Sequence, residues 1–303
     1  MTTPPNSFRE GVALSRLTTI GTGGPARAYA EPQTLAELEE VLRAAAQRGL
    51  GVATVGLGSN LLADDEGVDL LVLRLAGELS AVRVEGTTLV AGGGATNAVC
   101  LHRARAAALG GFEFACAIPG TAGGGVWMNA GAYGSDWNAI VSRALVATAD
   151  GTGWLTPAEL GFSYRHSNLR HGQVVAAVEY RLAPRDADEI RAEVRDLVHR
   201  RKATQPTTKR TFGSVFKNPP GEIGAGKMLE LCGLKGYRVG GAVISPKHAN
   251  FIENAGGATT ADCLALMAEA RRRAREAYGV ELEHEVVLLG SFLQDLESAT
   301  ADP

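Results

Sequence analysis

Cysteine is scarce in this sequence: there are four among 303 residues, and no two form a C-x-x-C pair. Such a pair is needed for a redox-active dithiol or for half of a typical zinc site. The six histidines show no metal-ligand spacing either. The sequence therefore predicts no metal site and four reduced cysteines that mainly serve packing, Cys100, Cys116, Cys232 and Cys263.

Long apolar segments and a basic stripe are also missing. No stretch is apolar over the length that crosses a bilayer, and residues 1–10 contain no signal-peptide core. The net charge is -3, and the two dense basic runs, 199–202 and 271–273, lie in helix-like stretches rich in Asp and Glu. We therefore expect a cytoplasmic protein that binds neither nucleic acid nor membrane.

Three familiar motifs fail on inspection. Residues 21–26 fit a loose G-x-G-x-x-A pattern, but no strand precedes them and a β-like run follows where a dinucleotide-binding helix should begin. Residues 221–227 fit G-x-x-x-x-G-K, yet Met228 stands where a phosphate loop needs Ser or Thr to reach magnesium. No G-x-S-x-G is present, so Ser214 is not the nucleophile of a hydrolase elbow.

Glycine, in contrast, is abundant, and its 38 residues cluster in a few places. The main clusters are 56–62, 91–95 and 118–125, the last followed by the run Asn129-Ala130-Gly131-Ala132-Tyr133-Gly134. Unhindered backbone amides, with Ser59, Asn60 and Thr121 as short donors, suit a diphosphate. Each cluster could equally be a set of tight turns, and spacing alone leaves both interpretations open.

Periodicity indicates a mixed chain of helices and strands without an internal repeat. A capping box of Thr34 and Glu37 predicts the start of the first helix. Helices are predicted over 35–48, 97–109, 186–204, 227–232 and 260–278. Strands are predicted over 26–30, 52–55, 70–75, 88–91, 144–149, 174–182, 242–245, 249–253 and 285–289.

Five segments in order carry a family resemblance. They are Gly56-x-Gly58-Ser59-Asn60-Leu61-Leu62, Ile118-Pro119-Gly120-Thr121-Ala122-Gly123-Gly124 with the run from Asn129 to Gly134, Tyr164-Arg165-His166-Ser167, Gly213-Ser214-Val215-Phe216-Lys217-Asn218-Pro219 and Glu283-His284-Glu285-Val286. Together they resemble the signatures of the UDP-N-acetylenolpyruvoylglucosamine reductases, the MurB family of bacterial cell-wall synthesis, over nearly the whole chain.

The resemblance implies an α+β protein that binds FAD non-covalently. The implied fold is the FAD-binding fold of the vanillyl-alcohol oxidase type in two subdomains, 1–76 and 77–198, followed by an α+β substrate domain, 199–290, and a tail, 291–303. This fold needs no dinucleotide fingerprint, which agrees with the lack of a strand before residues 21–26 and of a helix after them. The residues expected to hold FAD are Gly56, Gly58, Ser59, Asn60, Leu61, Gly120, Thr121, Gly124, Ala130 and Gly131.

The resemblance also implies the reaction, in which NADPH reduces the flavin and the flavin then reduces the alkene of UDP-N-acetylglucosamine enolpyruvate. Arg165 matches the arginine that stabilises charge on the substrate carboxylate, which suits a guanidinium fork. Glu285 matches the glutamate that assists there, and it can do so only if it holds or shares a proton. Ser214 matches the serine that donates a proton to the remaining carbon.

The substrate contacts implied by the resemblance are less complete. Lys217 and Asn218 follow Ser214 on the same segment and are expected to touch the UDP-sugar. In one branch of the family a loop with a tyrosine is inserted after the arginine signature, whereas here 170–173 runs almost directly into a predicted strand. The chain therefore resembles the shorter branch, and Tyr237 and Arg238 are the expected substitutes for that loop.

Two other functions are compatible with the glycine clusters alone. One is a different FAD enzyme on the same scaffold, such as a sugar or alcohol oxidase, and the other is a nucleotide-binding module without catalysis. The segment from Gly213 to Pro219 and Glu285 favour the reductase. We expect a monomer whose ligands are small molecules.

Overall fold

The computed structural model describes residues 8–290. Within them, helices span α1 Leu35–Gln47, α2 Asn97–Ala106, α3 Ala122–Met128, α4 Pro157–Leu160, α5 Ala187–Thr204, α6 Ala225–Leu231 and α7 Thr260–Tyr278. The first strands are β1 Val12–Ala13, β2 Pro25–Ala30, β3 Gly51–Thr54, β4 Leu61–Ala63, β5 Val68–Leu73, β6 Val82–Glu85, β7 Thr88–Gly92, β8 Leu109–Gly110, β9 Gly131–Ala132 and β10 Ser135–Asp136. The remaining strands are β11 Val141–Thr148, β12 Gly151–Leu155, β13 Val174–Arg181, β14 Ala183–Pro184, β15 Thr211–Ser214, β16 Arg238–Val239, β17 Ala242–Ile244, β18 Phe251–Asn254 and β19 Val287–Leu289.

The described chain forms two compact units, each built from separate stretches of sequence. The first contains residues 8–10, 28–57 and 70–201, and the second contains residues 11–27, 58–69 and 202–290. The polar residues 1–7 and the predicted tail, 291–303, lie outside the described residues. The division into domains at 76, 198 and 290 stays a prediction.

The first unit is built on an antiparallel sheet of order β12-β11-β13-β7-β6 and a parallel pair of β3 and β5. An aromatic cluster of Phe112, Phe114, Trp137 and Tyr180 lies in its core with edge-to-face contacts. Trp137 and Tyr180 are fully buried, and the Trp137 indole N–H donates to the Tyr180 hydroxyl at 3.0 Å. Because both polar groups are satisfied, this large aromatic surface can be buried without an unpaired donor.

The second unit contains an antiparallel sheet of order β15-β18-β17-β16 and a parallel pair of β4 and β19. Apolar residues of α6 and α7 pack with those of the strands in one core, which includes Met228, Leu266, Met267 and Ile252. Strand β15, which ends at Ser214, and the predicted last strand both fall in this unit, so it holds two of the expected catalytic segments.

Most predicted elements are confirmed with small shifts at their ends. The last long helix has the predicted bounds, and Thr259 and Asp262 form a capping box at its start. At α1 the Thr34 hydroxyl accepts the Glu37 amide as predicted, but the capping box is incomplete. The Glu37 carboxylate accepts the amide of Gln33 instead of that of Thr34.

Two glycine-rich segments contain regular secondary structure where the sequence predicts only turns or a diphosphate site. The turn predicted over 56–62 ends early, because Leu61 and Leu62 pair with β19 as part of β4. Much of the run after Gly120 is helical, although glycine disfavours helices. Thr121 caps this helix, α3, and its hydroxyl accepts the Gly124 amide at 3.4 Å.

Candidate functional site

Two of the predicted FAD segments touch in the first unit. An ideal Cβ built on Gly56 would lie 2.6 Å from the Thr121 hydroxyl oxygen, so the 56–57 turn and the loop before α3 are in direct contact. Among the described residues, the amides of Gly56, Leu57, Gly120 and Thr121 donate no backbone hydrogen bond. Adjacent unpaired amides of this kind form a concave anion site, which fits a diphosphate.

The 91–95 cluster does not offer such amides. Gly92, Gly93 and Gly94 donate to the carbonyls of Ala81, Ala176 and Leu79. An ideal Cβ on Gly93 would lie 1.8 Å from the Val175 carbonyl oxygen, so glycine is required there for close packing of the backbone. For this cluster the phosphate interpretation is wrong.

The amides of α3 are mostly occupied as well. Those of Ala122 and Gly123 donate to Ala95 and Gly93 at 2.8 Å, and that of Gly124 is capped by Thr121. Ala130 donates to the Gly125 carbonyl and accepts from the Trp137 amide. Any contact that Gly124 or Ala130 makes with FAD must therefore be a packing contact and not a hydrogen bond from an open amide.

Gly125 and Gly124 give a matched pair of substitutions. An ideal Cβ on Gly125 would lie 2.2 Å from the Trp137 ring, whereas a Cβ on Gly124 meets only the Thr121 hydroxyl at 3.5 Å. We expect Gly125→Ala to lower the free energy of unfolding by about 1 to 3 kcal/mol or more, because Trp137 cannot move in a packed core. Gly124→Ala should raise it by about 0.4 to 1 kcal/mol. Urea unfolding of both variants checks this, and equal stability of the two would contradict the packing argument.

Arg165 lies in a tight turn of the first unit. Ser163 and His166 exchange backbone hydrogen bonds of 3.1 Å, and Arg165 between them has a φ of 54°. This left-handed conformation is uncommon for a residue other than glycine and often marks a functional site. The guanidinium donates to the Gly131 carbonyl at 2.8 Å, so the turn is joined to the predicted FAD segment Ala130-Gly131.

Asn129 fixes the surroundings of this turn. It is buried and has a φ of 41°, and its side-chain N–H donates to the Ser163 carbonyl at 2.9 Å. Its side-chain oxygen accepts the Asn138 amide at 2.9 Å. Sequence reasoning did not single out Asn129, although it begins the Asn-Ala-Gly-Ala-Tyr-Gly run and the run itself was the available signal.

Ser214 and Glu285 lie on neighbouring segments of the second unit. The Glu285 amide donates to the Val215 carbonyl at 2.8 Å, and the Lys217 amide donates to the Glu283 carbonyl at 2.9 Å. The segments of the two expected catalytic residues are therefore brought together by backbone pairing, although the residues are 71 positions apart in the chain. Ser214 is only partly buried, and among the described residues its hydroxyl makes no hydrogen bond.

Two predicted FAD residues adjoin the same segments. The Asn60 side chain donates to the Glu285 carbonyl at 3.0 Å, and the Val287 amide donates to the Asn60 carbonyl at 3.0 Å. An ideal Cβ on Gly213 would lie 3.1 Å from the Ser59 carbonyl oxygen. The second unit thus joins the predicted cofactor turn to the predicted proton donor.

A β-bulge sets the direction of Ser214. The pairing of β15 with β18 shifts register between Thr211 and Ser214, and Gly213 within the bulge has a φ of 84°. Only glycine adopts this conformation without strain, and a bulge re-aims the following side chain. Phe212 and Val215, on either side, are buried and anchor the segment in the core.

The predicted substrate residues also lie in the second unit. The Lys217 ammonium pairs with the Glu283 carboxylate at 3.1 Å, and the Asn218 side-chain oxygen accepts the Ala225 amide at 3.0 Å. The Tyr237 ring carries the Arg273 guanidinium 4.8 Å from its centre, and Arg238 is exposed. Each of the four is therefore held on a defined segment.

His248 illustrates a residue whose role here is structural. Burial, and next the nearby Lys235 charge, lower the pKa of its imidazole below the ordinary value, while Glu230 acts in the opposite direction. The neutral ring packs edge-to-face on Phe251, and its Nδ1 accepts the Asn250 amide at 3.2 Å. The ring therefore serves packing and hydrogen bonding.

The ten predicted FAD residues divide between the two units. Those in the first unit are Gly56, Gly120, Thr121, Gly124, Ala130 and Gly131, and those in the second are Gly58, Ser59, Asn60 and Leu61. Across residues 8–290 no group of three or more His, Cys, Asp or Glu side chains could hold a metal ion. In the same range no helix is long and apolar enough to cross a membrane.

Comparison with known families covers both parts of the chain. A model described as FAD binding domain matches residues 26–154, and one described as UDP-N-acetylenolpyruvoylglucosamine reductase, C-terminal domain, matches residues 205–289. These matches confirm the predicted fold class, an α+β chain with an FAD-binding part followed by a second domain.

Individual relatives match almost end to end. UDP-N-acetylenolpyruvoylglucosamine reductase 2 of Symbiobacterium thermophilum is 46% identical over 288 residues, covering 94% of this chain and 93% of the relative. The reductase of Myxococcus xanthus is 42% identical over 94% of this chain and 93% of its own length. The crystal structure of the Thermus caldophilus reductase has a TM-score of 0.82 and 36% identity, covering 93% of this chain and all of that one.

These comparisons favour the reductase over the oxidase and the non-catalytic module. The chain belongs to the UDP-N-acetylenolpyruvoylglucosamine reductase family.

Proposed function

We propose that this protein uses NADPH and bound FAD to reduce UDP-N-acetylglucosamine enolpyruvate to UDP-N-acetylmuramate. The observation that carries the proposal is the backbone pairing that sets Ser214 beside the Glu285 segment, which also binds Asn60. A proton donor, an acidic side chain and a predicted cofactor turn are thereby held in one unit. Family membership supplies the reaction class to which these groups are suited.

The residues present fit FAD. The unpaired amides of Gly56, Leu57, Gly120 and Thr121 suit its diphosphate, and Ser59, Asn60 and Leu61 continue the same predicted segment. When bound there, FAD would supply the chemistry of hydride transfer from NADPH to the substrate alkene. The chain's own residues then have to bind the substrate, stabilise charge and deliver one proton.

Charge stabilisation falls to Arg165 and Glu285. Addition of hydride to the terminal alkene carbon pushes negative charge toward the neighbouring carboxylate, where fixed donors contribute most. The Arg165 guanidinium keeps one N–H on the Gly131 carbonyl, which orients the remaining N–H groups of its planar fork. An acidic side chain can assist at a carboxylate only when it holds or shares a proton, so this is the condition for the role proposed for Glu285.

Ser214 completes the addition by giving its hydroxyl proton to the carbon next to the carboxylate. The product then has two new C–H bonds, one from hydride and one from this proton, and Ser214 regains a proton from solvent. A hydroxyl is a weak acid in water, but it can serve against a developing carbanion when it is held within hydrogen-bond reach. The bulge at Gly213 and the buried neighbours Phe212 and Val215 hold it in place.

Lys217, Asn218, Tyr237 and Arg238 are proposed as contacts of the UDP-sugar. Arg238 is exposed and its partner strand fixes only its backbone, so Arg238→Ala should weaken substrate binding about tenfold without unfolding the protein. Titration of the oxidised enzyme with substrate, followed by the flavin absorbance change, measures this. Arg275→Ala, on α7, is the matched control with no expected effect, and unchanged affinity in Arg238→Ala would remove it from the contact set.

The test of the function is an absorbance experiment on the purified protein. We expect a flavin spectrum that bleaches on anaerobic addition of NADPH and returns when UDP-N-acetylglucosamine enolpyruvate is added. Rapid recovery in air without that substrate would point to an oxidase, and a colourless protein that cannot be loaded with FAD would contradict the proposal. A monomeric state and a cytoplasmic location remain predictions, to be measured by light scattering and by fractionation.

A further inference from the structure

Asn250 is a buried polar residue in the second unit that the mechanism does not use. It immediately precedes β18, and only 4% of its surface is exposed. Burying an amide side chain costs free energy unless its polar atoms are paired, so the partners of Asn250 indicate what it holds.

Both ends of its side chain bind the same residue. The side-chain oxygen accepts the Phe216 amide at 2.9 Å, and the side-chain N–H donates to the Phe216 carbonyl at 2.8 Å. The Asn250 carbonyl accepts the Val215 amide at 2.9 Å. Three hydrogen bonds from one residue therefore fix the two residues that follow Ser214.

The bulge explains why a side chain is needed here. Regular pairing of β15 with β18 ends at Ser214 and Phe251, after the register shift at Gly213. Beyond that point one backbone hydrogen bond continues on the β18 side, from the Val215 amide to the Asn250 carbonyl, and the two Phe216 groups are held by the Asn250 side chain. The side-chain carboxamide of Asn250 offers the same donor and acceptor that the backbone of a paired strand residue would offer.

The opposite edge of the segment is held by other residues. The Glu285 amide donates to the Val215 carbonyl, and the Lys217 amide donates to the Glu283 carbonyl. Asn250 and the 283–285 segment thus hold the same two peptide groups from two sides. Loss of the Asn250 side chain would remove both hydrogen bonds to Phe216 on one side, while the bond from the Val215 amide to the backbone of residue 250 and the pairing with 283–285 would remain.

We propose that Asn250 is a positioning residue for proton transfer, acting through Ser214 by fixing the backbone at 215–216. The inference rests on the proposed function of Ser214. Effective catalysis needs a donor held close to its target, and a displacement of about 1 Å can cost about 100-fold in rate. Asn250→Ala should therefore slow reoxidation of the reduced flavin by substrate about 10- to 100-fold, with reduction by NADPH unchanged.

A double-mutant cycle separates positioning from a general structural role. Asn250→Ala, Ser214→Ala and the double variant are prepared as FAD-loaded enzyme, and both half-reactions are followed by stopped-flow absorbance. If Asn250 acts through Ser214, the loss caused by Asn250→Ala should disappear in the Ser214→Ala background. An equal loss in both backgrounds, or equal loss in both half-reactions, overturns the proposal.

Asn254→Ala, at the last residue of β18, is the matched control. Its side chain also binds backbone groups, donating to Ile20 and accepting from Gly256 and Ala258, but none of them adjoins Ser214. It should lower the thermal midpoint like Asn250→Ala and leave substrate-driven reoxidation within about twofold of wild type. A reoxidation loss in Asn254→Ala as large as that in Asn250→Ala would also overturn the proposal.

Asn250→Asp keeps the test decisive if the alanine variant does not fold. A carboxylate of the same shape still accepts the Phe216 amide but repels the Phe216 carbonyl. A protonated carboxyl group can donate to that carbonyl, so the ratio of variant to wild-type reoxidation rate should rise as pH falls. A ratio of one at every pH overturns the inference. If wild-type enzyme itself fails to reduce the substrate, the proposed function has failed instead.

Discussion

Ser214→Ala is expected to stop substrate-driven reoxidation of the flavin almost completely while NADPH still reduces it at the normal rate. Removing a positioned general acid costs about 100- to 10,000-fold, and no other described hydroxyl lies on the 214–217 segment to replace it. Alanine fits the site, because it is smaller than serine, Ser214 is only partly buried, and its hydroxyl makes no hydrogen bond within residues 8–290. The folded structure should therefore survive the change.

Stopped-flow absorbance of the two half-reactions measures this directly. Ser214→Thr is the conservative companion, because it keeps a hydroxyl at the same atom and should recover part of the rate. A solvent deuterium effect on reoxidation should be present in wild type and altered in Ser214→Thr. Equal losses in flavin reduction and reoxidation would show that Ser214 affects cofactor binding and is not the proton donor.

Local sequence signals predicted the elements that depend on local physics. The capping residues of α7 and its apolar spacing lie within the helix itself, so both of its ends were predictable. Helix α3 was missed for the opposite reason. Its three glycines disfavour a helix in isolation, and it forms because Gly93 and Gly125 allow close contact with neighbouring backbone and with Trp137.

The candidate site shows the same division. Arg165, Ser214 and Glu285 were identified because the family segments occur in order, but their surroundings depend on contacts between distant residues. The hydrogen bonds of Asn250 to Phe216 and of Asn60 to Glu285 join residues 34 and 225 positions apart, and no local pattern encodes them. The glycine clusters show most clearly what sequence alone leaves undecided. Two similar glycine runs differ in the structure: near Gly56 the backbone amides are unpaired, whereas Gly93 packs closely against neighbouring backbone.

Arg165→Lys should slow reduction of the substrate about 100- to 1,000-fold, equivalent to about 3 to 4 kcal/mol of transition-state stabilisation. Lysine keeps the positive charge and has the same difficulty with the φ of 54°, so the change isolates the guanidinium fork. Arginine can donate to the Gly131 carbonyl at 2.8 Å and still present further N–H groups to a carboxylate. A single ammonium has neither the planar fork nor the reach to do both, so it satisfies the carbonyl or the substrate.

Arg143→Lys provides the matched control for this prediction. Arg143 also lies in the first unit and forms a forked ion pair with the Glu179 carboxylate at 2.7 and 2.8 Å. This pair, however, joins the adjacent strands β11 and β13. Replacement of Arg143 should change the rate of each half-reaction by less than about twofold. It should change the free energy of unfolding by about 1 kcal/mol or less, because an exposed ion pair contributes no more than that. Stopped-flow absorbance should show loss of substrate reduction only in Arg165→Lys, with flavin reduction by NADPH preserved. If Arg165→Lys reduces substrate as fast as wild type, a simple positive charge is sufficient and the bidentate role is wrong.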